Sequence, residues 1–256
     1  MWQQSKYYLQ YLLKRKGNHM IHSPFLYQWT CEVLPDSGQK NYSEIEEWRS
    51  RRKLDKKEIP YADLGAPSKK TQKSTRSIAQ IAQVALKSPK YARILARTAA
   101  FTKANNVLEL GTSLGISTAY LAQQAAKVYT IEGHASIASL AQNMFQSLNL
   151  HHIDSRVGLF DAVLPELLKE EITFDLIFID GNHQYAPTLQ YFEMLLPYLS
   201  PKGVIIFDDI YWSEEMAQAW QEIKKHPQIT LTIDIFQLGF AYINPDLSKQ
   251  DFVLKY

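Results

Sequence analysis

Two clusters of residues in this chain have types and spacings that can do chemistry. The first is Val107-Leu-Glu-Leu-Gly-Thr-Ser-Leu-Gly115, followed by Val128-Tyr-Thr-Ile-Glu132. Each begins as an apolar run. The first run carries Glu109 and gives way to a turn containing Gly111, Thr112, Ser113 and Gly115; the second ends on Glu132. Glycines in such a turn let the backbone bend tightly and approach a ligand. A pyrophosphate-binding turn of this type carries G-x-G-x-x-G, because the phosphates sit on the following helix N-terminus. Here Ser113 stands at the middle glycine, and Glu109 lies just before the turn. A carboxylate there repels phosphate and suits a cation. Glu132 can accept hydrogen bonds from a ribose diol. The pattern therefore favours a cationic nucleoside over a dinucleotide.

The second cluster is Phe174-Asp-Leu-Ile-Phe-Ile-Asp180-Gly-Asn-His183-Gln-Tyr185 together with Val204-Ile-Ile-Phe-Asp208-Asp209. If both apolar runs are adjacent parallel strands, Asp180, Asp208 and Asp209 meet at one edge. Clustered carboxylates repel one another unless they hold a cation or one keeps its proton. Hard oxygen ligands suit Mg²⁺ or Ca²⁺, whereas tetrahedral zinc recruits Cys or His. His183 titrates near neutral pH and is the candidate general base. Two plainer readings stand beside these: an acidic network that caps the fold without metal, and a histidine that stabilises a turn.

The elements that position these residues follow from hydrophobic period. Strands are predicted at 105–110, 127–132, 154–160, 174–180 and 203–209, with helices near 115–126, 135–148, 162–169, 184–198 and 213–226. Ile137, Leu140, Ala141, Met144, Phe145 and Leu148 mark one helical face. Strictly alternating strands and helices predict an α/β fold: a Rossmann-like, doubly wound, mostly parallel sheet covered on both sides. Residues 229–255 read as strand without helix, so the sheet should finish in antiparallel strands. In such sheets ligands bind outside the carboxyl ends of the strands, where both clusters fall. Upstream, helices are predicted at 2–16, 25–34, 76–87 and from Ser88-Pro89 to 102, with 43–54 also open to helix. Residues 35–76 form the longest stretch without clear period. The expected division is a helical, loop-rich region 1–75, serving as lid or substrate cap, and a Rossmann-like domain 76–256.

The segment Val107–Thr118 resembles the first motif of class I S-adenosylmethionine-dependent methyltransferases, particularly their small-molecule O-methyltransferase branch, and the similarity extends over about 76–244. The resemblance implies that Glu109, Gly111, Thr112, Ser113 and Gly115 line the methionine side, Glu132 holds the ribose, and Gly158-Leu-Phe-Asp161 meets the adenine amino group through Asp161. Asp180 lies at the ligand edge and is counted with the cofactor contacts as well. Asp180, Asp208 and Asp209 resemble the metal ligands of catechol O-methyltransferases, with two departures: Asp209 stands where those have asparagine, and His183 where they have a lysine base. The implied activity is O-methylation of a small hydroxylated molecule, with S-adenosyl-L-methionine as cofactor, Mg²⁺ assistance as a hypothesis, and Asp180 and His183 as catalytic residues. Tyr185, Tyr211 and Trp212 could wall the acceptor pocket or simply pack. His19-Met-Ile-His22-Ser-Pro-Phe25 resembles a segment of bacterial proteins of this type, so His22 and the 35–76 stretch are candidates to cover the site.

Composition bounds the alternatives. A chain of 256 residues with 46% hydrophobic content can bury a full α/β core. Its formal net charge of +2 selects no partner, but residues 49–76 carry ten Lys/Arg against three Asp/Glu. That local excess keeps an RNA methyltransferase open as an alternative, although nucleic acid is disfavoured because no RNA-binding module is recognisable. A non-catalytic cofactor-binding protein of the same fold is the other alternative. The single Cys31 rules out an internal disulfide framework and is compatible with a reducing compartment. Lys6, Lys14, Arg15 and Lys16 interrupt the apolar N-terminus, and no run could span a bilayer. The expectation is a cytoplasmic protein with a small-molecule acceptor, no membrane partner, and room for a homodimer.

Overall fold

The computed structural model describes residues 2–17, 23–36, 40–61 and 75–256. His19, His22 and residues 62–74 of the basic stretch lie outside the described residues. In chain order the elements are α1 (Trp2–Lys14), α2 (Pro24–Glu32), α3 (Ser43–Leu54), β1 (Glu58–Pro60), β2 (Thr75–Ser77), α4 (Ile78–Ala85), α5 (Pro89–Phe101), β3 (Asn106–Leu110), α6 (Ile116–Ala122), β4 (Lys127–Glu132), α7 (Ala135–Ser147), β5 (Ile153–Val157), α8 (Phe160–Leu168), β6 (Phe174–Ile179), α9 (Tyr185–Leu195), β7 (Leu199–Asp208), α10 (Glu214–Lys225), β8 (Leu231–Asp234), β9 (Leu238–Tyr242) and β10 (Gln250–Val253). No described helix is long and apolar enough to cross a membrane.

The chain forms two compact units, Asp36–Ile172 and Met1–Pro35 with Thr173–Tyr256. In the first unit β3, β4 and β5 pair in parallel, in that order. Val107, Leu108, Glu109 and Leu110 are all buried, as expected for a parallel strand covered on both faces. The Ser77 side chain and Gln80 form a capping box that starts α4. α3 places Glu44 and Glu46 in its first turn and Arg51, Arg52 and Lys53 in its last, which complements the helix dipole.

In the second unit β6 and β7 are parallel, while β9 runs antiparallel to both β7 and β8. β10 pairs in parallel with β8, so the expected antiparallel finish is confined to β9. The N-terminal helices are fastened to these late strands. Trp29 Nε1 donates to Tyr242 Oη at 2.9 Å, and its ring packs edge-on against Phe240. Tyr11 Oη donates to the Leu254 carbonyl at 2.6 Å.

Several boundaries differ from the periodic reading for local reasons. β5 ends at Val157 because Gly158 turns the chain at φ +146°, and α8 then starts at Phe160. α9 stops at Leu195, ahead of Pro197, in a short 3₁₀ turn. Gly115 has φ +82° and begins α6, and a Cβ there would lie 2.8 Å from Phe145 Cε1 and 2.9 Å from Ala141 Cβ. The missing side chain thus makes room for α7. Gly115→Ala should destabilise the protein by about 1–2 kcal/mol from backbone strain alone, with a further steric loss. Denaturant unfolding should show that steric part relieved in the Gly115→Ala/Phe145→Ala background.

Candidate functional site

Glu109 lies fully buried in β3. Its register partner on β4 is Thr130, and Thr130 Oγ1 donates to Glu109 Oε2 at 2.8 Å. Thr118, from the first turn of α6, donates to the same oxygen. Glu109 Oε1 is buried and has no hydrogen-bond partner among the described residues. Burial pushes the carboxyl up to about 7, against the lowering effect of the hydroxyls of Ser117, Thr118 and Thr130; nearby Glu132 adds to the rise.

The turn after β3 is held by its neighbour strand. Gly111 N donates to the Ile131 carbonyl at 3.0 Å, and Thr112 Oγ1 meets Thr130 Oγ1 at 2.6 Å. Gly111 and Ser113 have φ of +106° and +48°; serine therefore occupies, with strain, a left-handed position that favours glycine. Ser113 N donates to Glu132 Oε2 at 2.8 Å, while Ser113 Oγ is buried without a partner among the described residues. Glu132 Oε1 accepts from His134 N at 2.9 Å and meets His134 Nδ1 at 3.1 Å. The Gly158 amide donates to the Glu132 carbonyl at 2.9 Å, and Asp161 stands exposed in the first turn of α8. Glu109, Thr118, Thr130 and Thr112 thus share one buried hydrogen-bond network, and Glu132 holds Ser113 beside it.

In the other unit, ligand atoms of Asp180, His183 and Asp208 lie within 4.8 Å of one another. Asp208 ends β7 and is buried; Asp180 follows β6, and His183 Nε2 lies 3.8 Å from Asp180 Oδ1. Asp209, expected with the other two carboxylates, is not in this group; His183 is. The backbone turns left-handed at Asp209 (φ +50°), straight after the strand, and adjacent strand residues already face opposite sides. Tyr211 is tied down, its Oη 2.5 Å from Asp234 Oδ2, whereas Trp212 is exposed. A cavity of about 260 Å³ lies against Tyr7, Tyr11, Lys14, Tyr211 and Glu214.

Sequence reasoning missed Thr130 and His134. The signal for Thr130 was available: a hydroxyl in an otherwise apolar strand, two residues before Glu132 and so on the same face. His134 gave none, since it lies in the short link between β4 and α7, where no period marks a residue.

Comparison with known proteins bears on the fold and the domain type. The profile of a methyltransferase-domain family matches residues 108–210. A catechol O-methyltransferase from Niastella koreensis is 32% identical over 143 residues, covering 54% of this chain and 64% of that protein. A protein-L-isoaspartate O-methyltransferase from Petrotoga mobilis is 42% identical over 81 residues, 32% of this chain and 37% of that protein. The chain therefore matches less than two thirds of either relative's length. Among solved structures, an O-methyltransferase from Bacillus cereus in complex with SAH superposes with a TM-score of 0.60 at 22% identity, over 84% of this chain and 95% of that one. This likeness establishes the fold class: Rossmann-like α/β, a mostly parallel sheet with helices on both sides. Residues 108–210 thus resemble a methyltransferase domain, and the chain as a whole shares the fold of solved O-methyltransferases.

The buried Glu109 carries a pH signature. Its folded pKa lies above the ordinary value of 4.5, so the folded state holds a proton that the unfolded chain has released. The associated stability is complete below pH 4.5 and is lost as pH rises through 7, about 3 kcal/mol in all. Glu109→Gln should remove this loss. Melting temperatures measured between pH 5 and 8 should show the variant gaining on the wild type as pH rises; a constant difference would exclude the assignment.

Proposed function

We propose that this chain is an S-adenosylmethionine-dependent O-methyltransferase acting on a small hydroxylated acceptor. The observation that carries the acceptor half is the grouping of Asp180, His183 and Asp208 at the ends of β6 and β7. The donor half rests on the fit of the buried network to the cofactor. Glu109 Oε1 and Ser113 Oγ are buried polar atoms awaiting partners; they suit the ammonium of a methionine moiety and a neighbouring polar group. Glu132 suits the ribose diol, and Asp161 the adenine amino group.

When bound, the cofactor supplies a methyl group on a sulfonium, which leaves as a neutral thioether. What remains for the chain is to orient an acceptor hydroxyl and take its proton, and alignment alone supplies much of the rate. His183 Nε2 is the proposed proton acceptor, with Asp180 stabilising the positive charge the ring gains. His183→Ala should lower kcat by about 10²–10⁴-fold while S-adenosylhomocysteine affinity, measured by calorimetry, stays within about twofold of wild type. Retained turnover would remove the base assignment.

The same grouping favours a second reading. Two carboxylates and an imidazole fit a divalent cation, and the nitrogen admits Mn²⁺, Fe²⁺ or Zn²⁺ as readily as Mg²⁺. Such an ion would lower the pKa of the acceptor hydroxyl and orient it, and would be held by Asp180, Asp208 and His183. A ring nitrogen bound to metal has no lone pair left for a proton. Dialysis against a chelator decides between the two: with His183 as base, turnover survives, whereas in the cation reading it falls and returns on adding Mg²⁺ or Mn²⁺.

A further inference from the structure

A layered contact beside Glu132 is not used by the chemistry above. Tyr61 follows β1, and its ring lies flat on the His134 imidazole, with centroids 4.7 Å apart and planes 12° apart. The Arg76 guanidinium lies over the Tyr61 ring, 4.1 Å from its centroid. Arg76 is the register partner of Ile59 in the β1–β2 pair. Ser136 Oγ donates to the Pro60 carbonyl at 2.9 Å, while Ile59 and Tyr61 pack with Leu114 and Ile137. The small β1–β2 sheet is therefore fastened to the donor turn through Leu114 and to the start of α7 through Ile137 and Ser136.

His134 is the N-cap residue of α7, yet its side chain makes no capping hydrogen bond. Ser, Thr, Asp and Asn are the residues that serve that position. The imidazole is committed to Glu132, at 3.1 Å from Oε1. Facing a carboxylate, Nδ1 is the nitrogen that carries the hydrogen. An ionised carboxylate offers about four acceptor positions. Ser113 N, His134 N and His134 Nδ1 fill three of them, which leaves one on Oε2.

We propose that His134 is a positioning residue for the donor site: clamped between Tyr61 and Glu132, it fixes the Glu132 carboxylate so that one Oε2 acceptor position faces a ribose hydroxyl. The proposal rests on the reading of Glu132 as the ribose contact. A pre-ordered carboxylate spares the binding step the cost of fixing it, a cost on the order of tenfold in affinity. The β1–β2 sheet, through Tyr61 and Arg76, thereby sets donor affinity.

Calorimetric titration of S-adenosylhomocysteine into the full chain tests this. His134→Ser restores a good helix cap, so it should keep or raise the melting temperature while weakening binding about tenfold. In a Glu132→Gln background, the same His134→Ser change should cost nothing further. Tyr61→Phe should bind as wild type does, and Tyr61→Ala should bind as weakly as His134→Ser. The proposal is overturned if His134→Ser leaves affinity unchanged, or if its penalty recurs in full in the Glu132→Gln background. Should Glu132→Gln alone leave affinity unchanged, the ribose reading itself fails and takes the proposal with it.

Discussion

A carboxylate with no access to water constrains everything around the donor motif. β3 is covered on both faces, and Glu109 sits within it fully buried. Burying such a group costs free energy unless it is hydrogen-bonded or keeps its proton. Parallel register delivers one hydrogen bond by placing Thr130 opposite Glu109; the first turn of α6 delivers another, through Thr118. Both donors reach the same oxygen, so the other is left to a proton or to a ligand. The pKa near 7 expresses that balance.

The constraint then passes along β4. Side chains two apart on a strand share a face, so Thr130 and Glu132 point the same way. Thr130 serves Glu109 and Thr112, and Glu132 holds the Ser113 amide. One face of one strand thus fixes both the end of β3 and the turn beyond it. Ser113 tolerates a left-handed backbone because its amide is tied to Glu132. A glycine would relieve the strain but would lose the hydroxyl.

Much of this was legible in the sequence because parallel strands write continuous apolar runs, and any polar residue in them stands out. Glu109, Glu132, Asp180 and Asp208 stand out as candidates in that way, as do the glycine turn and the helix face of α7. What escaped depends on three-dimensional neighbours. Gly115 reads as a ligand-approach glycine, and that its missing Cβ also makes room for Phe145 shows only in three dimensions. Asp209 reads as a third ligand, but a left-handed backbone follows the strand there. β1 and β2 are three residues each and far apart in the chain, too short to show a period. The stack of Arg76, Tyr61 and His134 that they create could not be seen before the strands were paired.

The basic stretch 49–76 shows why a charge count is weaker than a contact. Arg49 is buried, donating to both oxygens of Glu46 and to the Lys87 carbonyl. Arg51 pairs with Glu47, Arg52 with Asp55, and Arg76 covers Tyr61. Arg49, Arg52 and Arg76 thus spend their charge on contacts within their own unit, whereas Arg51, Lys53, Lys56 and Lys57 stay exposed. The excess of positive charge that kept an RNA acceptor open is thus in part structural where it is described. The acceptor question rests instead on Asp180, His183 and Asp208, where the choice between proton acceptor and metal ligand turns on a single imidazole nitrogen.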